Sequence, residues 1–154
     1  MMNLIEQLKR HEGFESDYYD CTADKKTIGY GRNVDDNPFT PEELEMLGRE
    51  DFDVEPMTED EAEELLVNDV NAVISQIKPM LPWKELSPSR QAVCANMAFN
   101  LGVAGFLKFK KMIAALHDAY YTKAAVEMLD SRWADQVYQR SADLSWQMKD
   151  GEWR

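Results

Sequence analysis

The sequence predicts an α+β fold, in which a small mixed α/β lobe is joined by a long helix to an all-helical lobe. Residues 18–34, YYDCTADKKTIGYGRNV, are rich in β-favouring Tyr, Thr, Ile and Val and are broken by Ala23-Asp24-Lys25 and by Gly29 and Gly31. That is the pattern of short antiparallel strands joined by tight turns. Residues 59–78 repeat apolar side chains at helical spacing, and beyond Pro82 every periodic segment is helical. At 154 residues, 44% hydrophobic and 30% charged, the chain has the size of a single domain with a sizeable core. Its expected parts are an N-terminal lobe over 1–57, a connecting helix over 58–80 and a helical lobe over 81–154.

Leu4, Ile5 and Leu8 give one apolar side to a helix over residues 3–12, which Gly13 can end. Glu12 falls in its last turn, a rigid mount beside the next segment. Residues 35–57 hold Pro38, Pro41, Pro56 and a cluster of acids. A short helix after Thr40 and Pro41 is expected there, the rest being surface connection. Thr58 followed by Glu61 is a capping-box pattern. It opens a helix of about six turns from Glu59 to Lys78, with Leu65, Leu66, Val70, Val73, Ile74 and Ile77 on its apolar face and Pro79 and Pro82 as stops. The remaining helices are expected over 88–100, 106–115, 122–129, 131–137 and 141–148. Ser87 with Pro88, the Gly102 and Gly105 pair and short polar breaks form the joints. Trp133 and Trp146 fit core positions between these helices.

The formal net charge of −12 is uneven: residues 1–60 carry 17 Asp or Glu against 6 Lys or Arg, whereas residues 61–154 carry 12 against 11. A broad nucleic-acid footprint is excluded, because phosphate binding needs a basic surface. The opening MMNLIEQLKRHEG meets Glu6, Lys9 and Arg10 before any apolar run of signal-peptide length, and no later stretch approaches a membrane span. The expectation is a cytoplasmic product without stable membrane insertion. Cys21 and Cys94 offer no disulfide framework, so free thiols are expected. His11 and His117 are singletons, without the cluster that zinc requires.

The chemistry-bearing stretch is HEGFESDYYDCTADKKTIGYGR, residues 11–32. A glycosidic bond is broken when a protonated carboxyl group donates to the leaving oxygen while a second group activates water or attacks the sugar. Glu12, near Phe14 and the Tyr18/Tyr19 pair, fits the first role if burial raises its pKa. Asp20 is a rival base, but a one-residue step along a strand turns it to the other face from Cys21. Asp24 suits turn geometry. Gly29 and Gly31 do not form a dinucleotide motif; they permit close strand packing or the approach of a sugar to the backbone.

Glu12, Cys21 and Thr27 stand in the register Glu, eight residues, Asp or Cys, five residues, Thr, and Thr27 opens TIGYG. Farther on come TEDEAEELLVNDV, then NMAFN and GVAGF within residues 96–106, then AAVEMLDSRW at 124–133. In this order the motifs resemble the phage-type lysozymes, glycoside hydrolases of the family 24 type that phages use as endolysins, and the resemblance covers nearly the whole chain. It implies a lysozyme-like fold with an active-site cleft between the lobes. It also implies a muramidase that cuts the β-1,4 bond between N-acetylmuramic acid and N-acetylglucosamine in peptidoglycan. Glu12 would be the general acid, Cys21 would occupy the position of the family's commoner Asp, and Thr27 would orient the water. Tyr30, Arg32, Phe99, Asn100, Ser131, Arg132 and Arg140 are the implied substrate contacts, with Ser131 equally suited to cap a helix. No cofactor or metal is implied. The partners implied are peptidoglycan and a holin that releases the enzyme from the host cytoplasm to the periplasm or cell wall, and the enzyme is expected to be a monomer. Two other readings are a lytic transglycosylase forming 1,6-anhydromuramic ends and a non-catalytic peptidoglycan-binding protein. An estimated pI of 4.6 fits awkwardly with an anionic wall.

Overall fold

The computed structural model describes residues 2–154, and they divide into two compact units. One unit is Ile5–Asp69; the other takes in the chain through Leu4 together with Val70–Arg154.

The first unit holds most of helix α1 (Met2–Glu12), strands β1 (Glu15–Asp20), β2 (Lys26–Gly29) and β3 (Arg32–Asn33), helix α2 (Pro41–Leu47) and the first half of the long helix α3 (Glu59–Ile77). The sheet order is β1-β2-β3, antiparallel throughout. Tyr19 lies opposite Thr27 and Asp20 opposite Lys26, while Glu15 lies opposite Gly29, so β1 carries two extra residues between its ends. The strand begins three residues before the expected start, because Glu15 already pairs with Gly29 of β2.

Alternation along the strands gives the sheet two distinct faces. Ile28 and Arg32 are register partners and both are buried. On the same side as Ile28, Lys26 holds its ammonium 4.0 Å from the Tyr18 ring, and Tyr18 meets the fully buried Phe52 at 5.7 Å. Tyr19 and Thr27 take the other face. Two capping boxes form, the one at Thr58 that the sequence predicts and another at Thr40. Thr40 accepts from the Glu43 N–H and Glu43 accepts from the Thr40 N–H. Thr58 and Glu61 make the same reciprocal pair. Gly29, at φ +68°, brings its α-carbon to where an added Cβ would stand 3.2 Å from the Ala62 Cβ, so the β2 end lies tightly on α3.

An internal ion network ties β3 to α2 and α3. Arg32, 3% exposed, gives its two terminal nitrogens to Glu43 at 2.6 and 3.0 Å, its Nε to the Asn37 carbonyl and a further hydrogen bond to the Pro38 carbonyl, and it pairs with Asp69 at 3.1 Å. Four of the five guanidinium N–H groups thus donate hydrogen bonds, with the ion pair to Asp69 beside them.

The second unit is helical, completing α3 and continuing through α4 (Pro88–Leu101), α5 (Val103–Leu107), α6 (Lys110–His117), α7 (Tyr121–Leu129), α8 (Arg132–Gln136) and α9 (Tyr138–Asp150). Short 3-10 turns occupy 78–80 and 83–85, where the prolines end α3. One core runs through it, including Met97, Phe106, Met112, Met128, Trp133, Leu144 and Met148. The single helix expected over 106–115 is two, α5 and α6, separated at Lys108 and Phe109. The Phe109 N–H bonds only three residues back, to Phe106, and its ψ of 59° is not helical. Trp133 is buried as expected, but Trp146 is half exposed, a correction to the core reading. On α9 the buried side chains are Arg140, Ser141, Leu144, Ser145, Gln147 and Met148. The Trp146 ring instead lies within 5.3 Å of the Lys149 ammonium and 5.2 Å of the Arg154 guanidinium.

Candidate active site

Cys21 opens the turn between β1 and β2. Its N–H donates to the Lys25 carbonyl at 3.0 Å and its carbonyl accepts from the Asp24 N–H at 2.9 Å. The three-residue loop Thr22-Ala23-Asp24 closes with Asp24 at φ +57°. This is the common hairpin of a β-turn followed by one left-handed residue, a conformation Asp tolerates better than most. The ladder therefore continues one pair past the strand ends, and Tyr19, Cys21 and Thr27 share one face while Asp20 takes the other.

The backbone N–H groups of Ala23 and Lys25 lower the Cys21 thiol below its ordinary value. An Asp carboxylate at this position could accept from the N–H two residues on, the arrangement of an Asx-turn. Thr27 is buried, and its hydroxyl donates to the Lys25 carbonyl at 2.9 Å. Its lone pairs are left to accept from a ligand or water.

Glu12 ends α1, half-buried, just before Gly13 reverses the chain at φ +71°. Its carboxyl lies against Gly31: a Cβ added there would stand 3.4 Å from the Glu12 Cδ and 3.5 Å from its Oε2. Gly31, at φ +86°, thus has a double reason to lack a side chain. Of the aromatic groups expected around Glu12, Phe14 packs on Tyr30 at 5.5 Å and Tyr18 turns to Phe52. The phenol of Tyr19 is the one raised first by burial and then by the charges of Glu12, Glu15 and Cys21. The sequence places Tyr19 only as an aromatic neighbour of Glu12, although strand alternation from Cys21 and Thr27 points to it as a residue of the same face.

The other sequence-derived residues fall as follows. Tyr30 is buried, and Arg32 is consumed by the ion network, because it stands opposite Ile28 on the face away from Thr27. Phe99 and Asn100 are half-buried near the end of α4, where the Asn100 Oδ1 accepts from the Trp133 indole N–H at 2.7 Å. That bond fixes the amide and leaves its NH₂ as the group a ligand would meet. Ser131 caps α8 by accepting from the Ala134 N–H, and it lines a cavity of about 370 Å³ with Lys108, Lys110, Lys111 and Glu127. Arg132 is exposed; Arg140 is buried and donates through Nε to Asn96 at 2.9 Å. Both cysteines are free thiols, with Cys94 buried and pushed up to about 12. Among the described residues no group of three or more His, Cys, Asp or Glu side chains is arranged to hold a metal, and no helix is long and apolar enough to cross a membrane.

The family model for phage lysozyme matches residues 9–145. The chain is similar to a probable T4-type lysozyme 2 of Dictyostelium discoideum, at 28% identity over 90% of this chain and 89% of the relative. A probable T4-type lysozyme 1 of the same organism is 30% identical over the same shares. The pre-baseplate central spike protein Gp5 of Enterobacteria phage T4 is 30% identical over 94% of this chain, which spans 27% of that protein.

Proposed function

The chain belongs to the phage lysozyme family, and from that premise we propose that it is an endolysin muramidase cutting the β-1,4 bond between N-acetylmuramic acid and N-acetylglucosamine. Membership in the family supports a muramidase-type glycoside hydrolase in general. The observation that carries the finer reading is the joint placement of Glu12 against the bare α-carbon of Gly31 and of Cys21 with Thr27 on one face of the β1–β2 hairpin.

In this reading Glu12, protonated, donates to the leaving glycosidic oxygen. A water gives one hydrogen bond to the Thr27 Oγ1, whose own hydrogen is committed to Lys25, and passes its other proton to the Cys21 sulfur as its oxygen bonds to the anomeric carbon. The lowered thiol supports Cys21 as acceptor. Phe99, Asn100, Ser131, Arg132 and Arg140 are the sugar contacts we assign to the helical unit. Burial of Tyr30 and Arg32 favours a supporting role for them. Peptidoglycan as substrate, action as a monomer and holin-dependent release from the host cytoplasm to the wall complete the proposal.

The position of Cys21 in the turn, where backbone N–H groups lower its thiol, favours a second reading. A sulfur that serves the turn need not act as base, and a lytic transglycosylase dispenses with one, since the C6 hydroxyl of the sugar closes on the anomeric carbon. Mass spectrometry of peptidoglycan treated with wild type, Glu12→Gln and Cys21→Ala separates the two. Reducing muramic ends from wild type, with a loss of about 10²-fold or more in Glu12→Gln, are expected. Anhydro ends would move the assignment to the transglycosylase, and intact glycan with retained binding to a wall-binding protein.

A further inference from the structure

The adjacent tyrosines of β1 have opposite fates. Tyr18 points to the buried face, where its hydroxyl donates to the Glu50 carbonyl at 2.7 Å and its ring meets Phe52 and Lys26. Tyr19 points to the face of Thr27, its register partner, and of Cys21, two ladder positions on. Its side chain is 37% exposed, and its hydroxyl has no hydrogen-bond partner among the described residues. A large side chain half out of water, with an unused hydroxyl on the face that carries the reaction, is the kind of group that meets a ligand at both its ring and its polar tip.

We propose that Tyr19 is a further substrate-contacting residue, its hydroxyl donating to an oxygen of the sugar that lies along the Cys21–Thr27 face of the hairpin. This rests on the glycosidase reading of that site. The face is short of strong neutral donors: the Thr27 hydrogen goes to Lys25, and a thiol S–H is only a weak donor. Tyr19 supplies the missing donor. Burial and the negative charges of Glu12, Glu15 and Cys21 keep the phenol protonated, so it remains a donor across the working pH range. Its ring adds an apolar surface on which a sugar can rest.

The test compares Tyr19→Phe, Tyr18→Phe and Glu12→Gln on peptidoglycan, with binding of a soluble N-acetylglucosamine oligomer followed by calorimetry. Tyr19→Phe is expected to lower kcat/KM about 3- to 10-fold, the size of one neutral hydrogen bond. It should weaken oligomer binding by a similar factor while leaving the melting temperature unchanged. Tyr18→Phe should do the reverse, melting earlier with wild-type turnover. Wild-type turnover and oligomer affinity in Tyr19→Phe, or a lowered melting temperature with unchanged kinetics, overturns the proposal. If Glu12→Gln abolishes cleavage while Tyr19→Phe matches wild type, only this proposal fails. If wild type itself leaves the glycan intact, the glycosidase reading fails, and oligomer affinity still decides whether Tyr19 touches sugar.

Discussion

Replacing Asp69 by Asn is expected to stabilise the protein at neutral pH, because two carboxylates share one guanidinium in the Ile5–Asp69 unit. Burial pushes the Glu43 carboxyl up, but both terminal nitrogens of Arg32, the Thr40 N–H and the Asn68 amide outweigh it and bring it from 4.5 to about 2. Asp69 has one Arg32 contact at 3.1 Å and the Asn37 amide. Burial, with Glu43 adding to it, lifts Asp69 from 3.8 to about 6. The two therefore act on stability with opposite sign and titrate as a coupled pair. The depressed Glu43 value contributes about 3 kcal/mol that is present above about pH 4.5 and lost as pH falls toward 2. The raised Asp69 value means that the folded protein binds that proton more tightly than the unfolded chain. Stability then falls as pH rises from about 4 to about 6, by at most about 3 kcal/mol. Asparagine keeps an oxygen for Arg32 and Asn37 without the second charge. Asp69→Asn should match wild type near pH 4 and exceed it by about 1–3 kcal/mol at pH 7. Glu43→Gln should lose about 3 kcal/mol at pH 7, Asp69 then becoming the partner of Arg32. Urea unfolding followed by far-UV circular dichroism measures both. An Asp69→Asn variant as destabilised at pH 7 as Glu43→Gln, or a difference from wild type that does not change between these pH values, would refute the account.

Gly31→Ala meets left-handed strain of about 1–2 kcal/mol and sets a methyl against the Glu12 carboxyl, displacing water, so the alkaline limb of the activity profile, where the general acid loses its proton, should move to higher pH. Gly29→Ala has similar strain and crowds Ala62, and it should lower the urea midpoint without moving that profile; identical profiles for the two variants would count against the placement of Glu12. Cys21→Asp should keep the hairpin, since a carboxylate can accept from the turn amides, and should melt above Cys21→Ala; the reverse order in a thermal scan would remove the turn-capping role. Ser131→Ala should cost about 1 kcal/mol by loss of the α8 cap, read from the urea midpoint, with no change expected only if the cap is inert. Residues 5–69 carry 21 acidic against 6 basic side chains. Raising sodium chloride from about 0.01 to 0.15 M, which shortens the screening length from about 30 to 8 Å, should therefore raise the melting temperature; a fall would show that attractive pairs dominate that unit.

Local chemistry is what the chain spells out by itself. The capping box at Thr58, the helix start at Thr40 and Pro41, the helical period from Glu59 to Ile77, the Gly13 stop after Glu12 and the glycine-broken strands all depend on residues a few positions apart, and they were legible for that reason. The spacing of Glu12, Cys21 and Thr27 was legible in the same way, as a motif. Only the tertiary structure decided which partner each long side chain found. Arg32 became an internal cation because the register set it beside Ile28 and within reach of Glu43, eleven residues on, and Asp69, thirty-seven residues on. The break between α5 and α6 falls in LKFKK, which contains no Gly or Pro, and Trp146 stayed half exposed beside Lys149 and Arg154. Tyr18 and Tyr19 are the same residue in composition and propensity; which of them meets the core and which meets the face of Cys21 and Thr27 follows from the pairing of β1 with β2. Register and burial are set by contacts between segments distant in the chain, and no local pattern encodes them.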